Sequence, residues 1–157
     1  LAKAFFDLYV ELGVSGRIAL NIKSDGLHAL LRMQIEKSGV SKQNCYAFDM
    51  AVPDAFGYLV SDFSFYTRIS EYETSPFLLN QATGVWVDNF TGDFPQVPEA
   101  SRLMAEGYRV CIVSPELHGR DPHAVWREIA DAGLHQNALF ELCTDLPRDA
   151  EQILGTE

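Results

Sequence analysis

The run Ile18-Ala19-Leu20-Asn21-Ile22-Lys23 places Leu20 and Ile22 on one side and Ala19, Asn21 and Lys23 on the other. That is the two-residue period of a strand with one covered face. Ser24 and Asp25 follow as N-cap candidates for a helix carrying Leu27, Leu30, Leu31 and Ile35, which Ser38-Gly39 closes. The stretch therefore reads as one strand-helix unit.

The pattern repeats outward from this unit. Before it, Ala4, Phe5, Leu8, Tyr9 and Leu12 stand at helical spacing within Leu1 to Leu12, and Gly13 stops the helix. After it, strands are expected at Cys45 to Met50, Phe63 to Ser70, Gly84 to Asn89, Arg109 to Ser114 and Leu139 to Thr144. Helices are expected near Asp54 to Val60 behind Pro53, briefly at Pro76 to Gln81, at Pro98 to Glu106, from Asp121-Pro122 to about Ala132, and at Pro147 to Leu154. Strands recurring every roughly 20 to 30 residues leave room for helical crossovers onto a parallel sheet. The expected fold class is α/β: a partial TIM (β/α)8 barrel of six parallel strands with following helices, in a single domain over residues 1–157.

Composition narrows the function. With 47% hydrophobic and 22% charged residues, the chain lies in the globular range. No apolar run reaches the roughly 18 residues of a membrane-spanning helix, so no transmembrane segment is expected. A net charge of -10 with no local Lys/Arg cluster argues against a nucleic-acid partner. Cys45, Cys111 and Cys143 are odd in number, lack metal-type spacing and lie in apolar runs, so free thiols and a cytoplasmic setting are expected.

Polar residues gather at or just after the strands' C-terminal ends: Asn21 and Lys23, Asp49, Arg68 and Glu71, Asp88, Ser114 with Glu116 and His118, then Thr144 and Asp145. In a parallel α/β fold, ligands bind at that end. Ser24, Asp25, Asp121 and Asp145 also suit the capping of the helices that follow. Asn21, Lys23 and Arg68 alternate with apolar residues inside their strands, so they face away from the helix-covered side.

Asn21-Ile22-Lys23 resembles the Glu-Ile-Lys strand of the glycerophosphodiester phosphodiesterase and phosphatidylinositol-phospholipase-C-like barrels. Thr144-Asp145-Leu146-Pro147 resembles that family's Thr-Asp-x-Pro at the last strand. With Cys45-Tyr46-Ala47-Phe48-Asp49 and the run from Gly107 to Ser114, the likeness extends from about Ile18 to Leu154. It implies a phosphodiester hydrolase-like barrel acting on a glycerophosphodiester or a related phospholipid head group. Lys23, Glu116 and His118 would be its catalytic candidates and Asn21, Arg68 and Ser114 its substrate-binding ones. Asp49 and Asp88 could take a divalent cation, Mg2+ or Ca2+.

The departures matter equally. The family's His-Arg-Gly, Glu-x-Asp and His-Asp motifs do not precede Ile18. His118-Gly119-Arg120-Asp121 follows a late strand, so the His-Arg-Gly roles do not carry over to it. A neutral amide at Asn21 replaces an expected carboxylate, which weakens a divalent-ion site. The alternative function is therefore a noncatalytic barrel fragment that binds a polar ligand or oligomerises. Six strands instead of eight leave the edges of the first and last strands open, which predicts a homo-oligomer or a piece of a longer chain.

Overall fold

The computed structural model describes residues 2–155. Its strands are β1 (Ile18–Asn21), β2 (Cys45–Phe48), β3 (Tyr66–Ile69), β4 (Gly84–Val87), β5 (Arg109–Val113) and β6 (Phe140–Cys143). Its α-helices are α1 (Ala2–Glu11), α2 (His28–Ser38), α3 (Val52–Val60), α4 (Gln96–Ala105), α5 (His123–Asp131) and α6 (Pro147–Leu154). The chain divides into two compact units, Leu1–Tyr66 with Asn80–Ala82, and Thr67–Leu79 with Thr83–Glu157.

In the first unit β1 and β2 pair in parallel, in register from Ile18↔Cys45 to Asn21↔Phe48. β2 also bridges in parallel to Phe65 through Ala47. The alternation of the Ile18 to Lys23 run is preserved: Ile18 and Ile22 are buried, while Ala19, Asn21 and Lys23 are exposed. Tyr46 and Tyr66 stack with ring centroids 3.9 Å apart. Arg17 lies over both rings and donates to the Tyr66 hydroxyl at 2.5 Å.

In the second unit the sheet order is β3-β4-β5-β6. β4 and β5 register from Gly84↔Arg109 to Val87↔Ile112, and β5 and β6 from Val110↔Phe140 to Val113↔Cys143, all in parallel. β4 is buried at every residue, as expected of a strand covered on both faces. The core joins Val85, Val87, Val110 and Ile112 of the sheet to Leu103, Trp126, Ile129 and Leu154 of the helices.

Local departures from the sequence expectations have physical reasons. No helix forms over Pro76 to Gln81; residues 77–81 are turns, and Leu78 takes a positive φ of 53°. A single helical turn gives one hydrogen bond for several fixed dihedrals, so it nucleates poorly. α2 starts at His28 with no side-chain cap, and Ser24 and Asp25 do not cap it. Gly26 sits at φ 76°, which breaks the helical path between them and α2, and its N–H goes to Asp54 Oδ1 at 2.8 Å. α4 begins at Gln96, ahead of the expected Pro98. Asp121 does accept the His123 N–H at the start of α5, at 3.0 Å.

Candidate functional site

β4, β5 and β6 of the second unit end at Val87, Val113 and Cys143, so Asp88, Ser114 and Thr144 each follow directly on a strand. After Ser114 a 3-10 turn, Pro115–His118, ends at Gly119, whose φ of 73° suits glycine. This turn carries Glu116 and His118 back toward the strand ends.

His118 Nε2 lies 2.7 Å from Asp88 Oδ1. An ionised carboxylate can only accept, so Nε2 carries the proton that faces Asp88. Asp88 is almost fully buried; the ring of His118 is about a fifth exposed. Asp88 Oδ1 also accepts the Asn89 N–H at 2.9 Å, which holds the carboxylate in place.

Phe90 packs against the His118 ring with centroids 4.9 Å apart, and the Arg68 guanidinium carbon lies 5.6 Å from the centre of Phe90. Arg68 is ion-paired with Glu73. The loop bearing Phe90 is folded by Asn89, whose Oδ1 accepts from Gly92 N at 2.7 Å and whose Nδ2 donates to Phe94 O at 3.0 Å. Arg120 clamps it from outside, donating to Asn89 O and to Phe90 O.

Glu116 accepts hydrogen bonds on both oxygens. Thr144 donates to Oε1 at 2.5 Å and Asp145 N at 3.1 Å, while the Ser114 hydroxyl donates to Oε2. Burial alone would raise its pKa, but the Ser114, Thr144 and backbone donors overcome it and hold Glu116 below the ordinary glutamate value. This favours a bound, weakly basic anion over a proton acceptor. Ser114 was expected to touch substrate, yet it is fully buried, and its oxygen accepts from Trp126 Nε1 at 2.8 Å. Cys143 is pushed up to about 11, first by burial and then by the charges of Asp145, Glu116 and Asp88.

In the first unit Asn21 ends β1 and is exposed. Lys23 follows it and is ion-paired with Asp49, just beyond β2. Asp49 holds a left-handed backbone, φ 65°, which aspartate tolerates better than most residues. Asp49 and Asp88, the expected metal ligands, are thus engaged with Lys23 and His118 respectively. Among the described residues no group of three or more His, Cys, Asp or Glu is placed to hold a metal ion.

Gln96, Phe90, Arg120 and Trp126 escaped the sequence reading. Asn89-Phe90-Thr91-Gly92, with its Asn and Gly, carried a turn signal that could have marked the Phe90 loop. Nothing in the pattern marked Gln96. Among the described residues, no helix is long and apolar enough to cross a membrane.

The fold is α/β of the partial TIM-barrel class, with parallel strands alternating with helices in sheets of two and four strands. The chain is similar in fold to a solved structure described as a "putative glycerophosphodiester phosphodiesterase" from Galdieria sulphuraria, 15% identical with a TM-score of 0.63. The match covers 97% of this chain and 63% of that one, so the chain spans less than two thirds of its neighbour's length. At that identity the likeness is one of fold. No family model matches the sequence, and no curated protein matches it.

Proposed function

We propose that this chain supplies part of a phosphodiester hydrolase-like site for glycerophosphodiesters or related phosphorylated head groups. His118 moves the proton and Arg68 holds anionic oxygen. The observation that carries this reading is the 2.7 Å contact of His118 Nε2 with Asp88 at the C-terminal ends of parallel strands, with Phe90 packed between the His118 ring on one side and the Arg68 guanidinium on the other.

Hydrolysis adds water to phosphorus and breaks one P–O ester bond, giving a monoester and an alcohol. With Nε2–H held by Asp88, His118 Nδ1 is the atom that takes a proton from the attacking water and returns one to the leaving alkoxide. Arg68 would exchange Glu73 for two nonbridging oxygens, a grip that a planar guanidinium provides. Glu116 ties Ser114 to the start of the segment after β6 and shapes the floor behind His118. Lys23 and Asn21 remain proposed phosphate contacts on the first unit's own strand ends. No step is routed through a metal.

A second reading, a noncatalytic polar-ligand module, is favoured by the ion pairing of both proposed phosphate-holding cations, Lys23 with Asp49 and Arg68 with Glu73. Hydrolysis of glycerophosphodiesters and of bis(p-nitrophenyl) phosphate decides between them. The enzyme reading expects turnover that falls by about 10²- to 10⁴-fold in His118→Ala, the usual scale of a general acid-base. Diester binding without turnover would favour the second reading. Pairing of copies through open strand edges, and a cytoplasmic setting, belong to the same proposal; sedimentation equilibrium tests the first.

A further inference from the structure

We propose that Gln96 is a positioning residue for the Asp88–His118 pair, its carboxamide acting as a wedge that sets how far β4 and β5 spread at their C-terminal ends. The inference rests on the functional reading above.

The β4–β5 ladder stops at Val87↔Ile112. The next N–H on the β4 side, that of Asp88, turns to β3 and donates to Ile69 O at 2.9 Å. The N–H of Ser114, following β5, turns to β6 and donates to Cys143 O at 2.9 Å. Successive residues of a strand direct their hydrogen-bonding groups to opposite neighbours. Val87 and Val113 therefore aim their carbonyls into the space between β4 and β5: in this register the last backbone rung is Val113 N–H to Val87 O, and the Asn89 N–H that would come next to Val113 O goes to Asp88 Oδ1 instead. Gln96 fills that place: its Nε2 donates to Val87 O and to Val113 O, each at 2.9 Å. One side-chain amide thus joins the carbonyl of the last backbone rung to the first carbonyl beyond it.

Gln96 is only 3% exposed, and its own oxygen is buried with no hydrogen-bond partner among the described residues. A residue serving packing alone would avoid that unmet acceptor. The amide is also tied to the site from its other end. Gln96 N donates to Phe94 O at 2.9 Å, the same carbonyl that accepts Asn89 Nδ2 and so folds the Phe90 loop.

Asp88 follows Val87 directly, and His118 stands four residues after Ser114, so their contact joins the same two strand ends that Gln96 bridges. Without the two donors, β4 and β5 lose their fixed separation there, and Asp88 no longer holds one ring nitrogen of His118.

Two-bond 1H–15N correlation spectra of the full chain report which His118 nitrogen carries the proton. Wild type is expected to show a single Nε2–H form. Gln96→Met, which matches the side chain's length but cannot donate, is expected to show a mixture of tautomers while circular dichroism stays native. An unchanged Nε2–H signal in folded Gln96→Met overturns the proposal. Should Gln96→Met fail to fold, Gln96→Asn, which keeps the amide but shortens its reach, is read by the same two outcomes. Where turnover is measurable, Gln96→Met should lower kcat by up to about 10²-fold with KM held, the scale of a misplaced catalytic group. The spectra do not depend on activity: absent turnover sinks the hydrolase reading alone, and an unmoved tautomer sinks the wedge alone.

Discussion

Ser114 accepts the Trp126 indole N–H at 2.8 Å and donates its own proton to Glu116, so a single hydroxyl links α5 to the loops after β5 and β6. Every member of this chain is hydrogen-bonded, and the Trp126–Ser114 link is buried. Ser114→Ala should cost about 1 to 3 kcal/mol, because it strands a buried indole N–H and removes a donor from a carboxylate. Urea unfolding followed by tryptophan fluorescence measures it. A change under 0.5 kcal/mol, roughly the size of an ordinary surface substitution, would mean the link is broken in solution.

The same network sets an acid response. Glu116 is held below its ordinary value of 4.5 by its hydrogen-bond donors, which outweigh burial. A depressed folded-state value means the unfolded chain binds the proton more readily. The contribution is complete above pH 4.5 and is lost as pH falls below it. Glu116→Gln should therefore show a shallower decline in stability than wild type over that acid limb, measured by denaturant midpoints at a series of pH values. Parallel declines would remove Glu116 from the account.

Gly57 lies inside α3, where alanine would normally add up to about 1 kcal/mol of helix stability. Here a Cβ would stand 2.4 Å from His28 Cδ2. The ring is hydrogen-bonded to Ser61 at 2.8 Å and packed edge-on against Tyr58, so it cannot move freely. Overpacking wins, and Gly57→Ala should destabilise by about 1 to 3 kcal/mol. The pair His28→Ala/Gly57→Ala should recover part of the loss relative to His28→Ala, which a thermal-melt cycle over the four proteins reveals. Additive losses would contradict the clash.

Tyr58 is fully buried, and its hydroxyl has no hydrogen-bond partner among the described residues. Burial, and then the charges of Asp54 and Asp25, push its pKa from 10.0 up to about 12. The raised value means this group's contribution is intact below pH 10 and disappears as pH rises toward 12. Absorbance at 295 nm should show one phenol ionising well after the exposed tyrosines. Tyr58→Phe should erase that late step at a cost below about 1 kcal/mol, since the lost hydroxyl bonds nothing.

The strands were legible because period two survives in short runs such as Ile18 to Ile22, and Pro147 to Leu154 was legible because proline at its start and glycine at its end bracket it. The false helix at Pro76 to Gln81 had favourable local residues and no partner long enough to stabilise it. In the site, Asp88, Glu116 and His118 could be found because strand ends are where a parallel sheet presents its loops. Ser114 stands at a strand end too, but only tertiary packing reveals that Trp126 closes over it. Gln96 was invisible for the same reason: its amide matters through two carbonyls on strands 9 and 17 residues away.

Asp49 adds a limit on what its position can become. At φ 65° a β-branched or bulky side chain meets its own backbone, while glycine and asparagine fit with little strain. Of the residues that sit comfortably there, aspartate alone brings a negative charge to Lys23. Mutational drift at this corner therefore has few exits, and each neutral one frees a lysine: the residues easiest for the backbone to accept are those that turn a closed ion pair into an available cation.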